Sequence, residues 1–235
     1  MFKKIIISIL AFIIQVDSSF AQNKIIFNVP IFPPYMLEND GKISGIGVEL
    51  VEKIMKEAGV QYVLKIVPSY ARALEDVKDN KSDGFFLASQ SAERDKFAVF
   101  SNTIMINRWC WFYPAGSTLN PKDIKFKSEA KVGTYLNSNT HKWLLENGYI
   151  VTGSPQKIDS LLKMLNVNNI NVVFLAELVF IDSIHKMGGN PDSYIKVIQE
   201  EKPFGIYISK EYLSKNKGVM EKINAAIKKI INKPQ

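Results

Sequence analysis

The stretch FFLASQSAERDKFAVFSN, residues 85–102, carries Arg94, one of three arginines in a chain whose other 27 basic residues are lysines. An arginine presents a rigid planar fork that grips a carboxylate through two hydrogen bonds, whereas a lysine offers a mobile point charge. Arg94 stands just after a serine-rich turn, at the predicted start of a helix. Such a turn directs backbone N–H groups at an anion, so turn and fork together suit a carboxylate. The competing reading is a solvated arginine on a helix surface. A second helix start, NSNT at 137–140, offers Ser138, Asn139 and neighbouring N–H groups to a ligand. Plain N-capping explains the same residues, and a cap leaves some N–H groups over, so the two readings are compatible.

Enzyme chemistry finds little support in the residue types. His141 and His185 fall in predicted helices rather than in loops at strand ends. No Cys–His pair, Ser–His–Asp set or metal-ligand spacing is legible. GIGVEL, residues 45–50, lacks the third glycine of a dinucleotide fingerprint. The sequence therefore implies no catalytic residue, no metal and no cofactor.

The 235 residues are 46% hydrophobic and include 14 Phe, 9 Tyr and 3 Trp, enough for a substantial core in one large or two small domains. The N-terminus reads as a secretory signal peptide over residues 1–21: the basic MFKK, the apolar run IIISILAFII, then Ser19 and Ala21 before a cleavage point. That run is too short to span a membrane. Removing it takes away Lys3, Lys4 and Asp17 and lowers the net charge from +7 to +6. The lysines are scattered rather than striped, so nucleic acid is not an expected partner. The single Cys110 cannot form an internal disulfide, which suits an exported protein of the bacterial periplasm.

Strand and helix patterns alternate along the chain. Strands are predicted in KIIFNVP, YVLKIV, DGFFLAS, the long apolar VFSNTIMINRWCWFYP, AKVGTYL, YIVTG, NVVFL, SYIKVIQ and PFGIYIS. Between them lie GIGVELVEKIMKEAG, with its apolar face and Gly59 stop, and SYARALEDVKDN, capped by Ser69. SNTHKWLLENG, SPQKIDSLLKMLNV with Ser154 as cap and Pro155 at its first turn, and AELVFIDSIHKMGG follow. A final helix runs from Lys210. Such alternation predicts α/β units with largely parallel sheets. Two series imply two lobes, joined by crossings near 103–113 and 199–205, with a hinge and a ligand cleft between them.

Five segments resemble, in order, the bacterial extracellular solute-binding proteins of family 3, the amino-acid-binding group of ABC-transporter periplasmic proteins. They are PPYMLENDGKISGIGVELVEKIMKEAG, SYARALEDVKDNKSDGFFLASQSAERDKFAVFSN, KVGTYLNSNTHKWLLENGY, NVVFLAELV and KPFGIYISK. The resemblance implies a two-lobed, type II periplasmic-binding-protein-like α/β fold. Lobe one would comprise residues 22–106 plus 200–235, and lobe two 107–199. It also implies that Arg94 clamps a ligand carboxylate with help from Ser89, and that Tyr35, or Phe32, stacks on the ligand. Tyr70 and Arg72 match residues that flank the cleft in a subgroup of the family, although Arg72 equally suits an i,i+4 pair with Asp76. Arg108 would reach a second acidic group or pack at the hinge on Trp109 or Trp111.

One departure concerns the ligand. Ala176 stands where the family places the acidic residue that holds an ammonium group, Glu177 follows it, and Asn171 opens the strand. Either Glu177 takes that role, or no ammonium is bound and Glu177 is a favourable first-turn charge. The implied function is capture of an amino acid or other small carboxylate by a monomer that delivers it to an ABC permease. A dehydratase acting on cyclic acids, with Glu177 and a lysine as acid and base, is the enzyme alternative. A sensor or ligand-presenting module is the third.

Overall fold

In a computed structural model, the structure describes residues 24–136 and 138–231. The signal-peptide segment 1–21 and Asn137 lie outside the described residues. In chain order the elements are β1 (Ile25–Pro30), β2 (Leu37–Asn39), β3 (Lys42–Ser44), α1 (Ile46–Ala58), β4 (Tyr62–Val67), α2 (Tyr70–Lys78) and β5 (Gly84–Ser89). There follow α3 (Ala92–Asp95), β6 (Ala98–Phe100), β7 (Met105–Pro114), α4 (Phe126–Glu129), β8 (Val132–Gly133), α5 (Asn139–Glu146), β9 (Val151–Gly153) and α6 (Ile158–Asn166). The chain closes with β10 (Val172–Ala176), α7 (Glu177–Lys186), a short 3₁₀ turn, β11 (Tyr194–Ser209), α8 (Lys210–Lys215) and α9 (Val219–Ile231).

The strands form one continuous curled sheet in the order β4-β1-β5-β11-β7-β10-β8-β9, with β6 also on β11. At one end β1 pairs in parallel with β4 and β5. At the other, β8 pairs in parallel with β9 and β10. Two antiparallel strands, β7 and β11, stitch these parallel groups together from Met105–Phe204 to Pro114–Tyr194. The predicted crossings are thus neighbours in the sheet, and SYIKVIQ and PFGIYIS form one 16-residue strand. The glutamate-rich link between them stays in the ladder because β7 pairs with it through a bulge near Gln199.

Burial explains the stitching. Trp109 to Tyr113 are five consecutive buried residues of β7, the pattern of a strand covered on both faces. Trp111 is fully buried against Phe126, Trp143, Tyr149 and Phe174. On the other face Phe112 stacks on Phe180 at 3.8 Å. The second half of β11, Phe204–Ser209, is buried throughout, where it pairs with β5 and β6.

Two helix boundaries differ from expectation. The predicted start at Ser154–Pro155 lies three residues early; α6 begins at Ile158 without a side-chain cap. The Pro155 carbonyl instead accepts a bond from the Leu136 N–H, which holds 154–156 against the α5 entry loop. The terminal helix is two helices, α8 and α9, broken at Gly218, whose φ of 81° is left-handed. Among the described residues, no helix is long and apolar enough to cross a membrane.

Gly84 marks the tightest approach in the first half of the sheet. A Cβ there would collide with the Tyr207 carbonyl oxygen and press on the Phe27 ring. Because the obstacle is backbone of the paired strand, Gly84→Ala should lower stability by about 3 kcal/mol, read as a lower denaturation midpoint in urea at unchanged slope.

Candidate functional site

The topology gathers the singled-out residues. Phe32 and Tyr35 follow the carboxyl end of β1, Tyr70 and Arg72 that of β4, and Arg94 that of β5, where Ser89 is the last residue. In the other half, Ser138 and Asn139 follow β8 and Glu177 follows β10. Carboxyl ends of parallel strands are where open α/β sheets place ligands. The register then sets the two edges face to face. Ser89 is level with Phe204, which pairs with Met105, whereas Ala176 is level with Trp109. Four residues of β7 separate those levels, a gap of about 13 Å along the strand direction at ~3.3 Å per residue.

Arg94 sits in α3, half-buried. The Ser91 side chain caps this helix by accepting from the Arg94 N–H at 3.4 Å. The guanidinium donates to the Ser89 carbonyl at 2.5 Å and lies over the rings of Tyr70 and Phe85, 5.8 and 5.9 Å from their centroids. Neighbouring Asp95 is turned away, accepting from Tyr207 at 2.9 Å and Gln90 at 3.0 Å. No carboxylate among the described residues lies within ion-pair distance of Arg94. The other two arginines are paired: Arg72 with Asp76 at 2.9 Å, and Arg108 with Glu201 at 2.8 Å and Glu177 at 3.5 Å. The i,i+4 alternative thus describes the Arg72 geometry, and Arg108 meets carboxylates rather than the neighbouring tryptophan rings.

Tyr70 also supports the backbone beside Arg94. Leu87 adopts a left-handed φ of 53° inside β5, opposite the shift in β5–β11 register between Gly205 and Ile206. At that bulge the carbonyls of Phe86 and Leu87 face Tyr70. The Tyr70 hydroxyl donates toward both, at 2.7 Å to Leu87 and 3.2 Å to Phe86. The strained turn therefore rests on Tyr70, and so does the ring beneath Arg94.

Tyr35 is only 1% exposed. Its hydroxyl donates to the buried Asn107 side chain at 3.1 Å, and its ring stacks on Phe32 at 5.1 Å. In this structure Phe32, half-buried, is the ring of the pair with an accessible face. The loop is held because Ile46 and Gly47, at the start of α1, donate to the carbonyls of Pro34 and Tyr35.

In the second half, Ser138 caps α5, accepting from the His141 N–H at 3.1 Å. Thr140 links it to Thr134, which donates to the Phe174 carbonyl of β10, so the α5 entry is tied to the strand that Glu177 follows. Asn139 opens α5 beside that cap. Glu177 is 12% exposed at its side chain and is bracketed by two cations, Lys196 of β11 and Arg108 of β7. Asn107, Lys196 and Glu201 were not singled out from sequence. Their strand positions are legible, but their shared neighbourhood depends on the β7–β11 register. Among the described residues, no cluster of His, Cys, Asp or Glu could hold a metal ion.

Comparison with known proteins agrees with this geometry. The sequence model of the bacterial extracellular solute-binding proteins, family 3, matches residues 25–235. The chain belongs to this family. Comparison with curated protein sequences returns no match. The GluR0 ligand-binding core from Nostoc punctiforme in complex with L-glutamate matches with a TM-score of 0.67 at 21% identity, over 88% of this chain and 92% of that one. The arginine-, lysine-, histidine-binding protein ArtJ from Geobacillus stearothermophilus matches at 0.64 and 18%, over 89% and 90%. A histidine kinase sensor domain with similarity to periplasmic binding proteins matches at 0.67 and 15%, over 89% and 91%. At these identities the likeness establishes the fold, and this family 3 protein has the two-lobed type II periplasmic-binding-protein fold with an inter-lobe cleft. Family and fold are those of binding proteins.

Two outcomes follow from the buried hydroxyls. Tyr70→Phe leaves the Leu87 and Phe86 carbonyls without their donor and should cost about 1–3 kcal/mol in chemical denaturation. Burial, with a smaller contribution from the charge of Glu177, pushes the Cys110 thiol up from 9.0 to about 12. Burial likewise pushes Tyr207 to about 12 and raises Tyr35 and Tyr70 well above the usual tyrosine range. A folded-state pKa above the unfolded one stabilises fully below the unfolded value. That stability is lost as pH rises toward the folded value. Unfolding free energy should therefore be flat up to about pH 9 and fall between about pH 9 and 12, measured by urea titration at stepped pH.

Proposed function

We propose that this protein captures a small carboxylate-bearing solute, of amino-acid size, in the gap between the two strand-end edges. The observation that carries the reading is the unequal state of the three arginines. Arg72 and Arg108 are neutralised by carboxylates, whereas Arg94 holds its fork beside Ser89 with most of its five N–H donors unspent. A guanidinium held on two aromatic faces loses little freedom on gripping an anion. Ser89 and the α3 entry turn provide further polar groups on that edge, with Phe32 and Tyr70 as its apolar wall.

The hinge reading rests on the sheet order. The described parts of the expected lobe one (22–106 plus 200–235) and lobe two (107–199) are joined by β7 and β11. Ser138 and Asn139 on lobe two meet the solute as the lobes close. Closure is favoured only by contacts made in the closed state and missing from the open one. Acting as a monomer in the periplasm after loss of residues 1–21, the closed form delivers its solute to an ABC permease. The solved relatives named with L-glutamate or with arginine, lysine and histidine support solutes of this size and class.

A thermal-shift screen of the purified protein against L-amino acids and simple carboxylic acids tests this. A ligand at 100 times its Kd should stabilise by about 2.7 kcal/mol. Arg94→Ala should abolish that shift, and Arg94→Lys should restore only part of it, because a point charge cannot form the bidentate contact. Recovery of the bound solute chemically unchanged separates capture from turnover. Stabilisation that survives in Arg94→Ala would overturn the clamp.

A further inference from the structure

The two edges of the gap carry different charge balances. Arg94, on one edge, is a cation in no ion pair among the described residues. Glu177, on the other, is a carboxylate with two cationic neighbours, Lys196 and Arg108. Arg108 in turn bonds Glu201 through its Nε. The two carboxylates and two cations of this cluster cancel. Alongside, Lys202 pairs with Glu200 at 2.9 Å and covers the Trp109 ring. Of the two carboxylates adjacent to Arg94 in sequence, Glu93 pairs with Lys78 and Asp95 accepts from Tyr207 and Gln90. Among the described residues Arg94 is thus the one arginine outside an ion pair, whereas Glu177, Glu200 and Glu201 on the opposite side are each engaged by a cation.

We infer that the solute is a carboxylate without an ammonium group, a monoanion rather than a zwitterionic amino acid. The inference rests on Arg94 being the carboxylate clamp. A zwitterion would bring a cation toward an edge whose carboxylate already holds two. To reach Glu177, that ammonium must displace the Lys196 Nζ or the Arg108 fork from a side chain that is 12% exposed. The displaced cation would lose its partner in a partly dehydrated place, which costs more than the new contact returns. A carboxylate with a hydrogen, hydroxyl or keto group in place of the amine meets no such cost. In effect the Lys196 ammonium occupies the position that an amino acid's own ammonium would need.

Calorimetric titration with matched pairs decides this, each L-amino acid being compared with its deaminated acid, for example L-leucine with 4-methylpentanoate and L-phenylalanine with 3-phenylpropanoate. The deaminated member of the bound pair should bind at least about 10-fold more tightly. Lys196→Met releases Glu177 and should shift that ratio about 10-fold or more toward the amino acid. Lys196 is 43% exposed at its side chain, so the variant retains the fold, checked by an unchanged circular dichroism spectrum. A merely structural role for Lys196 would weaken both members equally and leave the ratio unchanged, which overturns the inference. An amino acid that binds more tightly than its deaminated partner, and only with Arg94 present, also overturns it while leaving the clamp intact. If no carboxylate binds, clamp and inference fall together.

Discussion

The antiparallel pairing of β7 with β11 is the constraint on which the rest of the molecule depends. It runs from Met105–Phe204 to Pro114–Tyr194 and is the join between two groups of parallel strands. Because β5 pairs with one end of β11 and β10 with the middle of β7, this ladder alone sets the distance between the strand ends that carry Ser89 and Glu177. A one-residue slip would move that spacing and turn every side chain to the opposite face. The dense aromatic packing around Trp111 and Phe112 holds the register from both faces.

On this frame, local departures from regular structure do the positioning. The left-handed Leu87 bulges β5 just before Ser89, and Tyr70 bonds the carbonyls of Phe86 and Leu87 there. The same Tyr70 ring underlies the Arg94 guanidinium. Strain, hydrogen bonding and cation placement thus share one side chain. Asp95 belongs to the same arrangement. Adjacent to Arg94 in sequence, it bonds Tyr207 and Gln90 rather than the guanidinium. Electrostatics follows from packing here, since each charge is used or spared according to what the neighbouring strands place beside it.

Much of the fold was legible in the sequence. Periodicity and caps located α1, α2 with its Ser69 cap, α5 with its Ser138 cap, and most strands. Less legible were features decided by pairing partners. SYIKVIQ and PFGIYIS read as two strands because the glutamates between them resemble a loop, yet β7 pairs with the whole span. Ser154 and Pro155 have the right types for a helix start, but the Leu136 bond to Pro155 delays it to Ile158. Tyr35 has the type and place of a stacking ring, and its burial depends on Asn107, 72 residues away.

What the sequence determined by itself is the inventory: alternating strands and helices, a serine-capped turn ahead of Arg94, and an Ala176–Glu177 pair at a strand end. These are local properties, because periodicity, caps and turn residues act within a few positions of the chain. Which of three arginines keeps its charge available, and whether Glu177 keeps its own, was decided by the tertiary structure. Asp76 reaches Arg72 along one helix turn, but Glu201 meets Arg108, and Lys196 and Arg108 meet Glu177, through the β7–β11 ladder and the β10 strand end beside it. Charge balance at the gap is a sum over residues distant in sequence, and only the folded chain brings them together.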